Sequence, residues 1–360
     1  MTVPAVDANA STPGPEPEPG PELAPPAFVS LGMVVLDEIH FPDGRVLRDV
    51  PGGSGFYATL GARLAVPQNR ASSVCCLVVA GDDFPAAVAR QIEGWGAEVR
   101  VQRVEGASST RGLLRYEDDV FGAKTFRYTS PPLRTDVKTL PDRLLQSSVV
   151  HTLASPEDVT QQALDLRSLG ARPLIAWEPS PLHCAGASAG HARAAGYVDV
   201  VSPNDAEVLA MYGISLDAAG PYDRAAVERC AMGLAGDEVS SNRGRVVVIR
   251  CGAQGCLTFS RGRPIWLPAF HGPGSGKVVD ATGAGNSFLG AFAVGLRGTG
   301  DAVLASAYGA VAASFVVEQV GPPRREIVDG REVWNGEEFG VRLEEYKAKM
   351  ATVDAGLEAR

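Results

Sequence analysis

The residues with the clearest chemistry lie in one stretch, Val278-Val279-Asp280-Ala281-Thr282-Gly283-Ala284-Gly285-Asn286-Ser287-Phe288-Leu289-Gly290-Ala291-Phe292. A strand end delivers a Gly-rich turn that runs straight into an apolar helix. The first turn of a helix has free backbone N–H groups and the positive end of the dipole. Gly283 and Gly285 let the backbone approach an anion closely and take φ values that other residues avoid. The pattern suits an anion hole for a phosphate. It also suits a helix start that uses glycine only for tight packing. Just upstream, Gly274-Ser275-Gly276-Lys277 imitates the end of a P-loop. It fails, because His271 rather than glycine stands five residues before Gly276, and Val278 follows the lysine where Ser or Thr is required. No G-x-G-x-x-G follows the first strand with an acidic residue beyond it, which argues against a dinucleotide-dependent oxidoreductase.

Short apolar runs must position this turn. Phe28–Leu36, Val74–Ala80, Val149–Leu153, Pro173–Trp177, Val198–Val201 and Val246–Ile249 read as buried strands. Continuous apolar strands suit a parallel sheet covered on both faces. Between them lie helical patterns at Phe56–Leu64, Phe84–Trp95, Asp158–Leu169, Asp205–Tyr212 and Asp223–Leu234. The alternation predicts an α/β fold, a central mostly parallel sheet with helices on both faces. Residues 97–130 differ: polar and apolar side chains alternate there, as in half-exposed strands, which predicts a small β lid outside the main sheet. Residues 256–268 read as a hairpin with Arg261-Gly262 near its turn. An Ala-rich helix runs from Asp301 to about Gln319 and stops at Gly321-Pro322-Pro323.

The chain has 360 residues, 45% apolar and 21% charged, an ordinary balance for a globular protein. Its net charge of −9 argues against direct nucleic-acid binding, which wants a basic face. No run approaches the roughly 18 apolar residues needed to span a bilayer. The N-terminus lacks the basic and apolar regions of a secretory signal. The six cysteines form no C-x-x-C and read as reduced, buried thiols. These features give the expectation of a cytoplasmic protein. Eight of the 26 prolines fall in residues 1–26, so that stretch is expected to be a disordered tail. Residues 27–325 would form one folded domain, and 326–360 a C-terminal extension ending in an amphipathic helix.

The 278–292 segment resembles the signature of the PfkB, or ribokinase-like, carbohydrate kinase family, a D-T-x-G-A-G-D pattern followed by an apolar helix. Other segments match in the expected order. Gly32–Asp37 resembles the first strand with its substrate-contacting aspartate. Pro51-Gly52-Gly53 resembles the first Gly-Gly signature, and Gly81-Asp82-Asp83-Phe84 the G-x-D-x-x-G turn without its second glycine. Ser202–Glu207 resembles the N-x-x-E motif, and Val246–Gly255 the strand and turn beneath the nucleotide. The 312–323 segment together with Asn286 is similar to a fungal, maintenance-of-killer-like subgroup.

The resemblance implies a ribokinase-like fold and an ATP-dependent phosphotransferase acting on a hydroxyl of a small sugar-like or nucleoside-like molecule. In it, Asp37, Gly52 and Gly53 face the acceptor. Gly283, Ala284 and Gly285 cradle the transferring phosphate. Asn204, Glu207, Arg250, Gly252, Gly255 and Thr282 belong to the nucleotide side. Glu207 places Mg2+ through water, and Asp280 holds a monovalent cation such as K+. A homodimer through the lid is a further expectation. Two departures matter. The family ends its signature with an aspartate that takes the acceptor's proton, and here that position is Asn286. A carboxamide is no general base, and losing such a base costs roughly 10²–10⁴-fold in rate. Tyr57 stands where an asparagine often binds sugar. The alternative is therefore a catalytically impaired nucleotide-binding pseudokinase that acts as a scaffold or regulator.

Overall fold

The computed structural model describes residues 24–118, 124–215, 221–236 and 245–358. Residues 1–23 of the expected Pro-rich tail lie outside the described residues. Among the described residues the central sheet has nine strands in the order β13-β12-β11-β10-β9-β8-β1-β4-β5. These are β1 (Phe28–Ser30), β4 (Val74–Ala80), β5 (Glu98–Arg103), β8 (Val149–Ala154), β9 (Leu174–Pro179), β10 (Val200–Val201), β11 (Val246–Arg250), β12 (Cys256–Ser260) and β13 (Arg263–Leu267). All neighbours pair in parallel except β11–β12 and β12–β13. The last two form the expected hairpin, closed by Arg261 (φ 52°) and Gly262 (φ 74°), a pair of positive φ values that fits the strand twist.

Helices cover both faces, which is why the strands read as unbroken apolar runs. One core joins the sheet to α1 (Gly53–Ala65), α2 (Ala86–Glu93), α8 (Ala284–Thr299), α9 (Ala302–Val316) and α10 (Phe339–Glu358). The opposite core takes α3 (Asp142–Leu145), α4 (Pro156–Ser168), α5 (Ser188–Ala195), α6 (Asp205–Met211) and α7 (Arg224–Ala235). Among the described residues no helix is long and apolar enough to cross a membrane.

A second sheet stands apart, in the order β3-β2-β6-β7. Its strands are β2 (Val35–His40), β3 (Val46–Gly52), β6 (Arg111–Tyr116) and β7 (Lys124–Tyr128). Ile39, Phe41, Leu114 and Tyr116 form its own small core. This lid corrects the sequence reading twice. Glu98–Arg103, expected in the lid, is the edge strand of the main sheet and pairs in parallel with β4. An edge strand covered on one side alternates polar and apolar residues as a lid strand does. Phe28–Leu36 is likewise not one strand. It divides into β1 in the main sheet and the start of β2 in the lid.

The C-terminal residues are docked rather than appended. The hairpin β14 (Arg325–Val328) and β15 (Arg331–Trp334) precedes α10. Trp334 and Tyr346 are fully buried. The Tyr346 hydroxyl donates to the Pro268 carbonyl. Lys349 Nζ donates to the carbonyls of Ala269 (2.8 Å) and Phe270 (3.0 Å). The C-terminal helix thus holds residues 268–270, which line the cleft described next.

Candidate active site

The turn before α8 forms as the sequence suggests. Gly283 caps the helix with φ 78°, and a Cβ there would collide with the Tyr57 ring. Only glycine meets both demands. Ala284 N–H donates to the Ala281 carbonyl and Ser287 N–H to that of Gly283, which leaves the Gly285 and Asn286 amides at the open end of the helix. Ser287 Oγ donates to the Tyr57 carbonyl at 2.9 Å. This bond locks α8 to α1, so Tyr57 is a buried support beneath the turn and one wall of the cleft.

One cleft of about 1320 Å3 connects this helix start to the lid. Pockets for one small ligand usually hold about 300–1,000 Å3, so this volume admits two reactants. It brings together Asp37, Gly53, Tyr57, Asn204, Glu207, Arg250, Gly252, Gly255, Asp280, Thr282, Gly283, Ala284, Gly285 and Asn286. Gly52 stands behind Asp37.

Asp37 projects from β2 into the lid end of the cleft. Gly52 and Gly112 flank it so closely that a Cβ on either would strike the carboxylate. Its Oδ1 is buried without a hydrogen-bond partner among the described residues. Burial pushes its carboxyl up to about 7. A carboxylate left in this state is suited to accept hydroxyl donors.

At the other end, Asn204 and Glu207 form a capping box at the start of α6. Asn204 Oδ1 accepts from Glu207 N–H at 2.7 Å, and Glu207 Oε2 accepts from Asn204 N–H at 2.7 Å. This spacing needs no ligand to explain it. Burial raises Glu207 to about 6, against the opposing pull of Arg250. Gly252 (φ 50°) and Gly255 (φ 88°) form the turn after β11, and a Cβ on Gly255 would strike the Leu267 carbonyl.

Between the two ends lies a polar cluster centred on a residue the sequence reading missed. Glu178, at the end of β9, is buried. Its Oε2 accepts from Asn286 Nδ2 at 2.6 Å. Its Oε1 pairs with Arg250 Nη1 at 2.8 Å. His151 Nε2 stands 3.6 Å from Oε2, while its Nδ1 meets Ser30 Oγ at 2.8 Å. Burial alone would raise Glu178, but Arg250, His151 and Asn286 outweigh it and hold the carboxyl at about 2. The available signal was a lone acid closing the apolar strand Leu174–Pro179. In parallel sheets, ligands gather at the carboxyl ends of strands.

Arg250 spans the cluster. Its Nη2 donates to the Ser202 carbonyl at 2.9 Å and lies 3.5 Å from Glu207 Oε2. Its Nη1 lies against Gly285, where a Cβ would not fit. The expected Mg2+ position by Glu207 is therefore faced by a guanidinium. Asp280 departs similarly from the expected cation role. Its Oδ2 accepts from Tyr116 Oη at 2.8 Å, and its Oδ1 from Thr282 N–H (3.0 Å) and Thr282 Oγ1 (2.7 Å). Lys124 Nζ, carried by the lid, donates to Thr282 Oγ1 at 2.6 Å and lies 3.8 Å from Asp280 Oδ1. Neither Tyr116 nor Lys124 was foreseen.

Known proteins share this fold. A family model for pfkB family carbohydrate kinases matches residues 44–324. Protein MAK32 of Saccharomyces cerevisiae is 30% identical over 340 residues, which cover 88% of this chain and 91% of the relative. An uncharacterized protein of Schizosaccharomyces pombe is 29% identical over 350 residues, covering 91% and 94%. Among solved structures, Giardia lamblia ribokinase superposes with a TM-score of 0.64 at 16% identity, covering 82% of this chain and 95% of that one. An adenosine kinase from Anopheles gambiae, solved with P1,P4-di(adenosine-5) tetraphosphate, gives 0.64 at 16% identity, covering 84% and 100%. An E. coli putative ribokinase II, solved with ATP and Mg2+, gives 0.61 at 15% identity, covering 90% and 99%. The fold is ribokinase-like, and the chain belongs to the pfkB family of carbohydrate kinases, in a fungal, MAK32-like subgroup.

Proposed function

We propose that the chain is an ATP-dependent phosphotransferase acting on a hydroxyl of a small sugar-like or nucleoside-like molecule. One observation carries this reading. A single cleft joins the unpartnered carboxylate of Asp37 to the open first turn of α8. Asp37 accepts acceptor hydroxyls and fixes the molecule under the lid. The amides of Gly285 and Asn286 stabilise phosphoryl oxygens at the helix start, where the dipole favours negative charge. Gly252 and Gly255 line the nucleotide side. ATP supplies the phosphoryl group. The chain's own work is positioning and charge stabilisation, which dominate phosphoryl transfer. No step is assigned to Mg2+, since a guanidinium stands between the two carboxylates, Glu178 and Glu207, that would approach it.

Asn286 limits the turnover. Its amide donates to Glu178 rather than facing an acceptor as a base. That bond favours a second reading, a nucleotide-binding protein with little transfer that serves as a scaffold or regulator. A cytoplasmic location is part of the proposal. So is a homodimer through the lid, in keeping with Val46, Leu47 and Phe126 exposed on its strands. The test is a melting-temperature screen of sugars and nucleosides with and without ATP, since a ligand of the native state stabilises it. A shift that needs both acceptor and nucleotide supports a kinase, especially when ADP forms. A shift with ATP alone and no ADP release favours the scaffold. No heat on titrating ATP into folded protein rejects the nucleotide site.

A further inference from the structure

We propose that this site carries its own counter-ions: Arg250 takes the place of the divalent cation expected at Glu207, and Lys124 that of the monovalent cation expected at Asp280. The inference rests on the nucleotide site proposed above and adds that the triphosphate binds without free metal ions.

The divalent position comes first. A metal reaching this end of the cleft would use Glu178 and Glu207, the two carboxylates gathered around Arg250. Both face one guanidinium, at 2.8 Å and 3.5 Å. The Arg250 side chain is 11% exposed, and its Ser202 contact fixes it in place. A cation at a helix N-terminus opposes the dipole, so the two carboxylates must offset it. Its Nε is buried without a partner among the described residues. A planar fork of donors beside open helix amides matches the oxygens of a phosphate. A second cation at the same carboxylates would be repelled by the guanidinium.

An independent observation concerns the monovalent position. Asp280 is 2% exposed, and protein donors occupy both its oxygens. The ammonium of Lys124 completes the set through Thr282. A lysine ammonium is a compact point charge and fits where a small cation was expected. Because β7 belongs to the lid, the lid itself delivers this charge to the Gly-rich turn.

The test is calorimetric titration of ATP into the full chain, in EDTA with tetramethylammonium as the sole added cation, then with Mg2+ or K+ added. The expected result is binding in all three, with Kd changing by less than about fivefold. A larger gain with Mg2+ overturns the assignment to Arg250, and a larger gain with K+ overturns that to Lys124. Binding in none of them rejects the nucleotide site itself, and this proposal with it. Lys124→Met opens the side of Asp280. It should lose roughly tenfold in ATP affinity in tetramethylammonium and recover it in K+. A loss that K+ does not repair refutes the lysine's role. The pair Arg250→Met with Glu178→Gln removes the guanidinium without stranding the Glu178 carboxylate, while Glu207 keeps its Asn204 amide. Full ATP affinity of that double variant in EDTA refutes the arginine's role.

Discussion

Replacing Asn286 by aspartate restores the family's carboxylate, but the structure shows what it would meet. Asn286 Nδ2 lies 2.6 Å from Glu178 Oε2. In Asn286→Asp, a donor becomes a second acceptor at that distance. Two unit charges so placed repel by about 6 kcal/mol at an effective dielectric of about 20. The pair avoids that energy by sharing a proton, as adjacent carboxylates do. The cost is then the free energy of protonating a carboxyl above its ordinary value near 4, about 1.4 kcal/mol for each pH unit. The sign follows. The folded variant binds a proton that the unfolded chain has lost. Its stability relative to wild type is therefore near full at pH 4, falls as pH rises, and levels off near pH 8–9, where repulsion sets the ceiling. Wild-type Glu178, held at about 2, gives no slope in this window, since its stabilisation disappears only as pH falls below its unfolded value. Urea denaturation of both proteins at pH 5 and pH 7 should show the deficit growing by about 2.7 kcal/mol. Turnover should appear mainly above pH 8, where the new carboxylate ionises, and shift to lower pH when Glu178→Gln is added. A deficit that does not change with pH would refute the contact between positions 178 and 286. An Asp variant no faster than wild type at any pH would refute the argument from the missing base.

Three further outcomes follow from the same geometry. Asp37→Asn should stabilise the protein at pH 8 by about 2–4 kcal/mol, because the buried carboxyl, raised to about 7, loses stability for the fold as pH climbs from about 4 to 7. The gain should vanish at pH 4 in urea titrations, and acceptor-dependent ADP release should fall. Gly283→Ala places a side chain at positive φ against the Tyr57 ring and should cost about 3 kcal/mol in denaturant midpoint experiments. Tyr116→Phe removes the donor to Asp280 Oδ2 and should cost about 1–3 kcal/mol. Unchanged stability there would show that the lid does not depend on this bond.

The local features of the site were legible because short-range chemistry dictates them. Gly283 must be a glycine for the turn before α8 to form, whereas Gly285 keeps ordinary helical φ and makes room for Arg250. Asn204 and Glu207 stand at capping-box spacing. The unbroken apolar runs announced a parallel sheet covered on both faces. The charged interior of the site was not legible. Glu178 meets Asn286 across 108 residues, and Tyr116 meets Asp280 across 164. Pattern reading senses periodicity within an element, not pairing between distant ones. The same limit explains β5, whose half-covered edge resembles a lid strand in its alternation. It explains the C-terminus too, where Trp334 and Tyr346 are buried by partners far away in sequence.

The seam between α1 and α8 sets the order in which this protein can fold. Helix α1 is buried around nearly its whole circumference. Its backbone at Ala58 and Gly61 touches Gly290 and Ser287 so tightly that no Cβ fits on either glycine. The partners are about 230 residues apart. During synthesis, α1 leaves the ribosome long before α8 exists to cover it. Contacts this remote in sequence close late, and an apolar helix left waiting is a site for misassembly. The anion-binding turn begins α8, and Tyr57 beneath it belongs to α1. The candidate active site is therefore among the last parts of the molecule to be completed. Any truncation before residue 284 removes the helix that covers α1 and exposes its apolar surface.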